Sequence, residues 1–356
     1  MNKNSVTQLM KKYRQVIPLL FLAAITVGCS SGLDFLEPVV TDTIGQADEV
    51  KPGSDAWQQG VANTAFVLNT VEYKIVERLM VVNEGPGEPS KQNIWMALIT
   101  DVYPYQEVLS MEITPADNQI NVDEYGNQYV EFDLSDMPAG TSTQIELKYL
   151  VKVNEVAYDL SNCEGVMPDE FTQPELHIES NNVQIISLAE ELVESRGTVC
   201  EQVRGFYDFI GDNLVYSYNG GNWGAQAALG EMGADCTEYA DLMIALSRAS
   251  GIPARYFEGL YFAGEQVHPE ARTEHAWLDV YLPGTGWTAM DPTLGRSSQG
   301  RDEYFAHYQP NHIIVTQGRN PSTLRGASYW TYIYWPGEST KIKIEDFEWE
   351  IERAGE

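Results

Sequence analysis

Gly233-Ala-Asp-Cys-Thr-Glu238 has the chemistry of a helix beginning, and the reading of the whole chain turns on it. Asp235 can cap the first backbone N–H groups while Glu238 reaches back to the cap, which leaves Cys236 at the first helical position. The apolar residues Tyr239, Leu242, Met243, Leu246 and Ala249 recur at helical spacing to about Ser250, and Cys236 shares their face, so its thiol points inward at the helix tip. Unpaired N–H groups and the positive end of the helix dipole favour a thiolate there, the form that attacks an acyl carbon, and a nearby N–H can bind a developing oxyanion. Free cysteines are also common in ordinary cores, so this reading requires a partner base.

The base is found in Thr273-Glu-His-Ala-Trp-Leu-Asp-Val-Tyr281, where alternating Ala276, Leu278 and Val280 mark a strand with His275 at its start. The turn Pro283-Gly-Thr-Gly286 leads into Gly286-Trp-Thr-Ala-Met-Asp-Pro-Thr293, a second strand ending in Asp291. Antiparallel neighbours would bring Asp291 beside His275, the arrangement that fixes an imidazole's tautomer and supports its positive charge. Trp277 and Trp287 on these strands are expected to be core packing. Upstream, Ile185, Leu188, Leu192 and Val193 trace a helix closed by Gly197. Thr198 with Glu201 makes a capping box for a second helix carrying Val203, Phe206, Tyr207 and Ile210, and a short strand is expected from Leu214 to Tyr218.

Before residue 156 the period is two rather than 3.6. Val71, Tyr73 and Ile75, then Leu109, Met111 and Ile113, then Val130, Phe132 and Leu134, then Ile145, Leu147, Tyr149, Val151 and Val153 read as half-buried strands. Turn residues at Glu84-Gly-Pro-Gly-Glu88, Asp123-Glu-Tyr-Gly-Asn127 and Pro138-Ala-Gly140 separate them. The spacing suits an antiparallel β-sandwich of immunoglobulin or fibronectin type. No nucleophile, base or ligand set gathers in it, so a spacer or binding module is expected there.

Lys11, Lys12 and Arg14 precede an apolar run from Val16 to Val27 that ends in small residues before Cys29, the order of an export signal. That run falls short of the roughly 20 apolar residues a membrane-crossing helix needs. Ile25-Thr-Val-Gly-Cys29 resembles a bacterial lipobox, which implies cleavage before Cys29 and acylation of its thiol, and Ser30 resembles an outer-membrane sorting residue. With 22 Lys and Arg against 52 Asp and Glu, the 356-residue chain carries a net charge of −30, which disfavours a nucleic-acid partner. The charge is spread along the chain and is expected to be a solvated surface, with a cationic substrate as the lesser reading.

Taken together, Gly233-Ala-Asp-Cys236, Gly251-Ile-Pro-Ala-Arg255, His275-Ala-Trp277 and Asp291-Pro-Thr293 resemble, in order and spacing, the transglutaminase-like superfamily, over roughly residues 183–320. One extra residue separates Gly233 from Cys236 relative to the tightest form of the first motif. The resemblance implies a papain-related fold with helices packed on an antiparallel sheet, and a catalytic set of Cys236, His275 and Asp291 acting through a thioester; no cofactor and no metal ligands are assigned. It also implies an oxyanion donor upstream of the nucleophile, for which Tyr218, Trp223 and Gln226 are open alternatives.

The expected organisation is α+β: a lipoprotein signal peptide over 1–28, an acidic tether over 29–60, the β-sandwich over 61–155, a join over 156–182 and a transglutaminase-like catalytic domain over 183–356. The strands at 312–318 and 329–335 are expected to complete the catalytic sheet. Cys163 and Cys200 are expected to pair in an oxidising envelope. His177, His268, His307 and His312 show no ligand-like spacing and are read as surface or core residues, and a zinc site built from Cys236, His275 and Asp291 is disfavoured. The leading expectation is a protease or amidase of the cell envelope, exported and lipid-anchored, acting on protein or peptide substrates that include peptidoglycan peptides. The alternatives are a protein-glutamine transamidase and a non-catalytic peptide- or envelope-binding scaffold.

Overall fold

Two long strands organise the N-terminal part because inward positions alternate with outward ones from Tyr73 to Asn83 and from Ile145 to Val153. The computed structural model describes residues 64–89, 91–218, 223–230, 232–264, 274–319, 332–335 and 340–355. The signal segment, Cys29, the tether and His268 lie outside the described residues. Strands β1 (Ala65–Asn83) and β6 (Ser142–Tyr158) pair antiparallel from Ala65 opposite Tyr158 to Val82 opposite Ser142. β3 (Gln106–Thr114) lies on the outer edge of β6. A second antiparallel sheet contains β2 (Asn93–Ala97), β4 (Gln119–Val122) and β5 (Gln128–Asp133). Tyr73, Ile75, Leu79 and Val81 of β1 and Ile145, Leu147 and Val151 of β6 share one core with Ile94 and Met96 of β2 and Val130 and Phe132 of β5.

The second half is mixed. Helices α1 (Val183–Val193), α2 (Val199–Asn213), the one-turn α3 (Ala225–Ala228) and α4 (Cys236–Ala249) pack on one face of a four-stranded antiparallel sheet. Its order is β11-β7-β8-β9, from β7 (Ala254–Tyr261), β8 (Glu274–Leu282), β9 (Gly286–Met290) and β11 (His312–Gln317). Both expected capping devices form: Thr198 with Glu201 on α2, and Asp235 with Glu238 on α4. The stretch from Leu214 to Tyr218 makes only a single bridge, Tyr216 to Ala234, rather than a strand.

The opposite face of that sheet is covered by the N-terminal β unit. Phe257 and Leu260 of β7, Trp277 of β8 and Ile313 of β11 are buried in the same apolar core as Tyr73 and Tyr105. Polar contacts follow the apolar ones. The Tyr73 hydroxyl donates to the Pro310 carbonyl at 3.0 Å. The buried Gln106 amide clamps β11 from its unpaired edge, accepting from Ile314 N at 2.7 Å and donating to Ile314 O at 2.8 Å. Asn127 repeats this device on Gln317, with both bonds at 2.8 Å. Side-chain amides thus occupy the edge of β11 as a neighbouring strand would.

Two expectations change. The chain after residue 331 does not extend the β11-β7-β8-β9 sheet: β12 (Tyr332–Trp335) pairs with β2, and β13 (Ile342–Arg353) pairs with β1 from Asn83 opposite Ile342 to Tyr73 opposite Arg353. β10 (His307–Tyr308) likewise pairs with β6. The C-terminal stretch therefore returns to the N-terminal sheets, because those sheets have open edges and the β11-β7-β8-β9 sheet is closed at β11 by side chains. Leu109 and Met111, expected on a buried face, are each 42% exposed. A register shift between Val108 and Ser110 turns the edge strand β3 and sends them to solvent.

Candidate active site

The start of α4 is fixed locally. Asp235 accepts a hydrogen bond from Thr237 N at 3.0 Å, and Glu238 accepts one from Asp235 N at 2.9 Å, so both arms of the cap are satisfied. Gly233 precedes it at φ +86°, and a Cβ there would stand 2.6 Å from the Ser217 Cβ, so only glycine fits the turn that aims the helix. Cys236, half-buried as the first residue of α4, then opens into a cleft of about 670 Å³ lined also by Tyr216, Tyr218, Trp223, Glu258, Tyr261 and His275.

His275 stands at the start of β8 and lines the same cleft as Cys236. Its Nε2 lies 2.7 Å from Asp291 Oδ2, which leaves Nδ1 uncommitted to the carboxylate. Asp291 is immobilised from several sides. Its Oδ1 accepts from Thr293 N at 2.8 Å and Leu294 N at 3.0 Å, and its carbonyl accepts from the Tyr207 hydroxyl of α2 at 3.0 Å. Burial opposes a charge on His275, but the Asp291 carboxylate and the Cys236 sulfur outweigh it and push its pKa up to about 10. Burial likewise opposes ionisation of Asp291, and His275 with His312 overcomes it, holding this carboxyl well below the usual carboxylate range. Glu258, on the cleft wall, is pushed up to about 7 by burial, against the nearby Arg319.

His312 was not legible as part of this cluster. It sits on β11, 2% exposed, and its Nε2 lies 3.2 Å from the same Asp291 oxygen that meets His275. Burial, the largest cause, holds its pKa below the usual histidine value, against the pull of Asp291. Trp277 packs beside both imidazoles, its ring centroid 5.8 Å from His275 and 4.9 Å from His312. His275, Asp291 and His312 form the one cluster among the described residues whose nitrogen and oxygen atoms all lie within 4.8 Å of one another. The Asp291 oxygens already accept from both rings and from two backbone N–H groups, so the cluster is a closed hydrogen-bond set rather than an open coordination site.

The other expected residues are dispersed. Tyr218 and Trp223 line the cleft, whereas Gln226 lies on α3 with its backbone N–H 3.2 Å from Glu179 Oε2. Cys163 and Cys200 form a disulfide with Cα atoms 5.9 Å apart, joining the segment before α1 to the first turn of α2. Arg255, which closes the Gly-Ile-Pro-Ala-Arg stretch, is buried in an ion pair with Asp279 and lies 3.8 Å over the Trp287 ring.

A thiol at a helix tip, an imidazole and a carboxylate on adjoining antiparallel strands, and helices packed on that sheet define a transglutaminase-like core. Residues 186–292 match the sequence family described as the transglutaminase-like superfamily, and this part of the chain is such a core domain. Among curated proteins, the chain is 26% identical over 168 residues to YebA of Bacillus subtilis (strain 168), described as uncharacterized, covering 42% of this chain and 21% of that protein. It is 35% identical over 82 residues to a protein-glutamine gamma-glutamyltransferase of Pseudomonas aeruginosa, covering 20% of this chain and 12% of that one. The match thus spans about a fifth or less of the length of these relatives. Among solved structures, a candidate cysteine protease from Cytophaga hutchinsonii aligns over 82% of this chain and 93% of its own, with a TM-score of 0.59 and 19% identity, a likeness of fold.

Proposed function

We propose that this protein is a cysteine acyl-transfer enzyme of the cell envelope that cleaves amide or peptide bonds through a thioester on Cys236. The observation that carries the proposal is that Cys236 and His275 line one cleft while His275 Nε2 stands 2.7 Å from Asp291 Oδ2. The Cys236 thiolate attacks the carbonyl carbon of the substrate amide, and His275 gives its Nδ1 proton to the departing amine as the C–N bond breaks. Water then attacks the thioester, His275 takes its proton, and the carboxylic acid leaves as the thiolate is restored. Asp291 keeps Nε2 hydrogen-bonded throughout and supports the imidazolium. Asp235 caps the N–H groups of Thr237 and Glu238, so the Cys236 N–H is the first-turn donor left for the oxyanion.

Hydrolysis is favoured because water is the abundant acceptor outside the cell. The local likeness to a protein-glutamine gamma-glutamyltransferase supports transamidation as the second reading. Export and lipid attachment at Cys29 are part of the proposal, supported by the Cys163–Cys200 disulfide, a bond that persists in oxidising compartments. Among the described residues no helix is long and apolar enough to cross a membrane. We read the N-terminal β unit as an immunoglobulin- or fibronectin-like sandwich.

The test uses a Gln-containing peptide with a labelled amine. Wild-type protein is expected to release cleaved or deamidated peptide, and Cys236→Ala to lose at least about 10⁴-fold of that rate. Amine incorporation in place of hydrolysis selects the transamidase, and turnover unchanged in Cys236→Ala rejects both.

A further inference from the structure

We propose that His312 is a positioning residue that fixes the Asp291 carboxylate toward His275, and that the N-terminal β unit seats it there by clamping β11. This rests on reading Cys236, His275 and Asp291 as the catalytic set.

The geometry is specific. Asp291 Oδ2 receives His275 Nε2 at 2.7 Å and His312 Nε2 at 3.2 Å, so one oxygen joins two imidazoles. A carboxylate anchored only through Oδ1 can still rotate its second oxygen away from His275. A second N–H on Oδ2 removes that freedom. His312 does this without adding charge, because a neutral imidazole has one N–H to donate. The groups facing it are Asp291, His275, the Asn311 side chain 2.9 Å from its Nδ1, the rings of Trp277, Tyr261, Tyr304 and Tyr308, and the backbone of Gln309, with no lysine or arginine among them.

β11 is the edge strand of its sheet, and an edge strand by itself holds a side chain less firmly than a central one. The contacts that stiffen it come from the other unit. Gln106 binds both backbone groups of Ile314, two residues from His312, and Tyr73 binds the carbonyl of Pro310 on the other side. On the inner side Gly259 of β7 lets β11 approach closely, since a Cβ there would fall 2.0 Å from the Ile313 carbonyl oxygen. The N-terminal unit thereby reaches the acid of the catalytic set through one histidine.

The experiment measures the alkylation rate of Cys236 by iodoacetamide from pH 5 to 10 in the full chain, read by mass spectrometry of the peptide that contains it. Each variant is melted in parallel. Gln places its amide nitrogen where His Nε2 stands, and Asn places its own where Nδ1 stands. His312→Asn and His312→Phe are expected to move the pH profile by roughly half a unit, because Asp291 no longer shares its oxygen with a second donor. His312→Gln is expected to restore the wild-type profile. Gln106→Met should shift it in the same direction, and its effect should not add to that of His312→Phe.

A profile that stays at the wild-type position in His312→Asn and His312→Phe, whatever happens to melting, overturns the role of His312. A shift that Gln fails to restore does the same, and additivity with Gln106→Met overturns the clamp. His275→Ala is the control: if it alkylates as wild type does, the catalytic reading itself has failed. If it differs while the His312 variants do not, only this inference has failed.

Discussion

Trp277 and Leu278 are neighbours on one strand, yet each is buried in a different half of the molecule. Leu278 faces the helices and shares their core with Leu242 and Met243 of α4. Trp277 faces the N-terminal β unit and shares its core with Tyr105 and Ile313. The helical face carries Cys236 through a device written within six residues, the cap at the start of α4. The β face holds β11, which carries His312 beside Asp291, through contacts between residues about two hundred positions apart, such as Gln106 with Ile314. A single sheet therefore joins a locally determined half of the site to a remotely determined one.

Replacing the two neighbours separates these halves. Trp277→Ala is expected to cost about 3–5 kcal/mol and Leu278→Ala about 2–5 kcal/mol in chemical denaturation. The first should also loosen amide exchange protection in β1 and β5, whereas the second should leave those strands protected. Equal loss of protection in both variants would mean that the faces are not energetically distinct.

The His275–Asp291 contact lies between the faces and should show itself in the pH dependence of stability. His275 has a folded pKa raised to about 10 from 6.5, so its contribution is fully present below pH 6.5 and is lost as pH rises through about 10. Wild-type melting temperature should therefore fall over that range more steeply than that of His275→Gln. Parallel curves would contradict the ion pair.

The smallest effect is expected within the β unit alone. Glu77 points into the core between Ile75 and Leu79, is fully buried, and neither of its oxygens has a partner. Burial raises its pKa well above the usual value, so stability falls as pH rises above 4.5, where the unfolded chain loses the proton and the folded one keeps it. Glu77→Met is expected to stabilise by about 1–3 kcal/mol at pH 7, with the gain shrinking toward pH 4. A destabilised variant would show that the carboxyl has a partner in solution.

The sequence was most legible where structure is set by near neighbours. The caps of α2 and α4, the strand beginning at His275 and the turn leading to Asp291 follow from spacing and turn chemistry, and β8 and β9 do pair as antiparallel neighbours. The packing of Trp277 and Trp287 could be anticipated because alternate residues of such strands must cover a face. What could not be read depends on tertiary pairing. Nothing around His312 marks it, since its partner lies 21 residues away across two strands. The N-terminal unit, expected as a spacer or binding module, covers the back of the β11-β7-β8-β9 sheet because Phe257, Leu260 and Trp277 leave an apolar face that helices do not occupy. The destination of the last strands was hidden for the same reason: Phe347, Trp349 and Ile351 alternate as any half-buried strand does, and periodicity does not name a partner.

β13 has a consequence for how the molecule is made. Its mate β1 is translated first, and the whole of α1–α4 and β7–β11 is translated before β13 emerges. The N-terminal sheet is thus begun before the helices and completed after them, its β1 edge left open until β13 arrives. A polypeptide threaded across a membrane from its N-terminus would carry that open edge through most of its passage, when a holding chaperone has the most to protect.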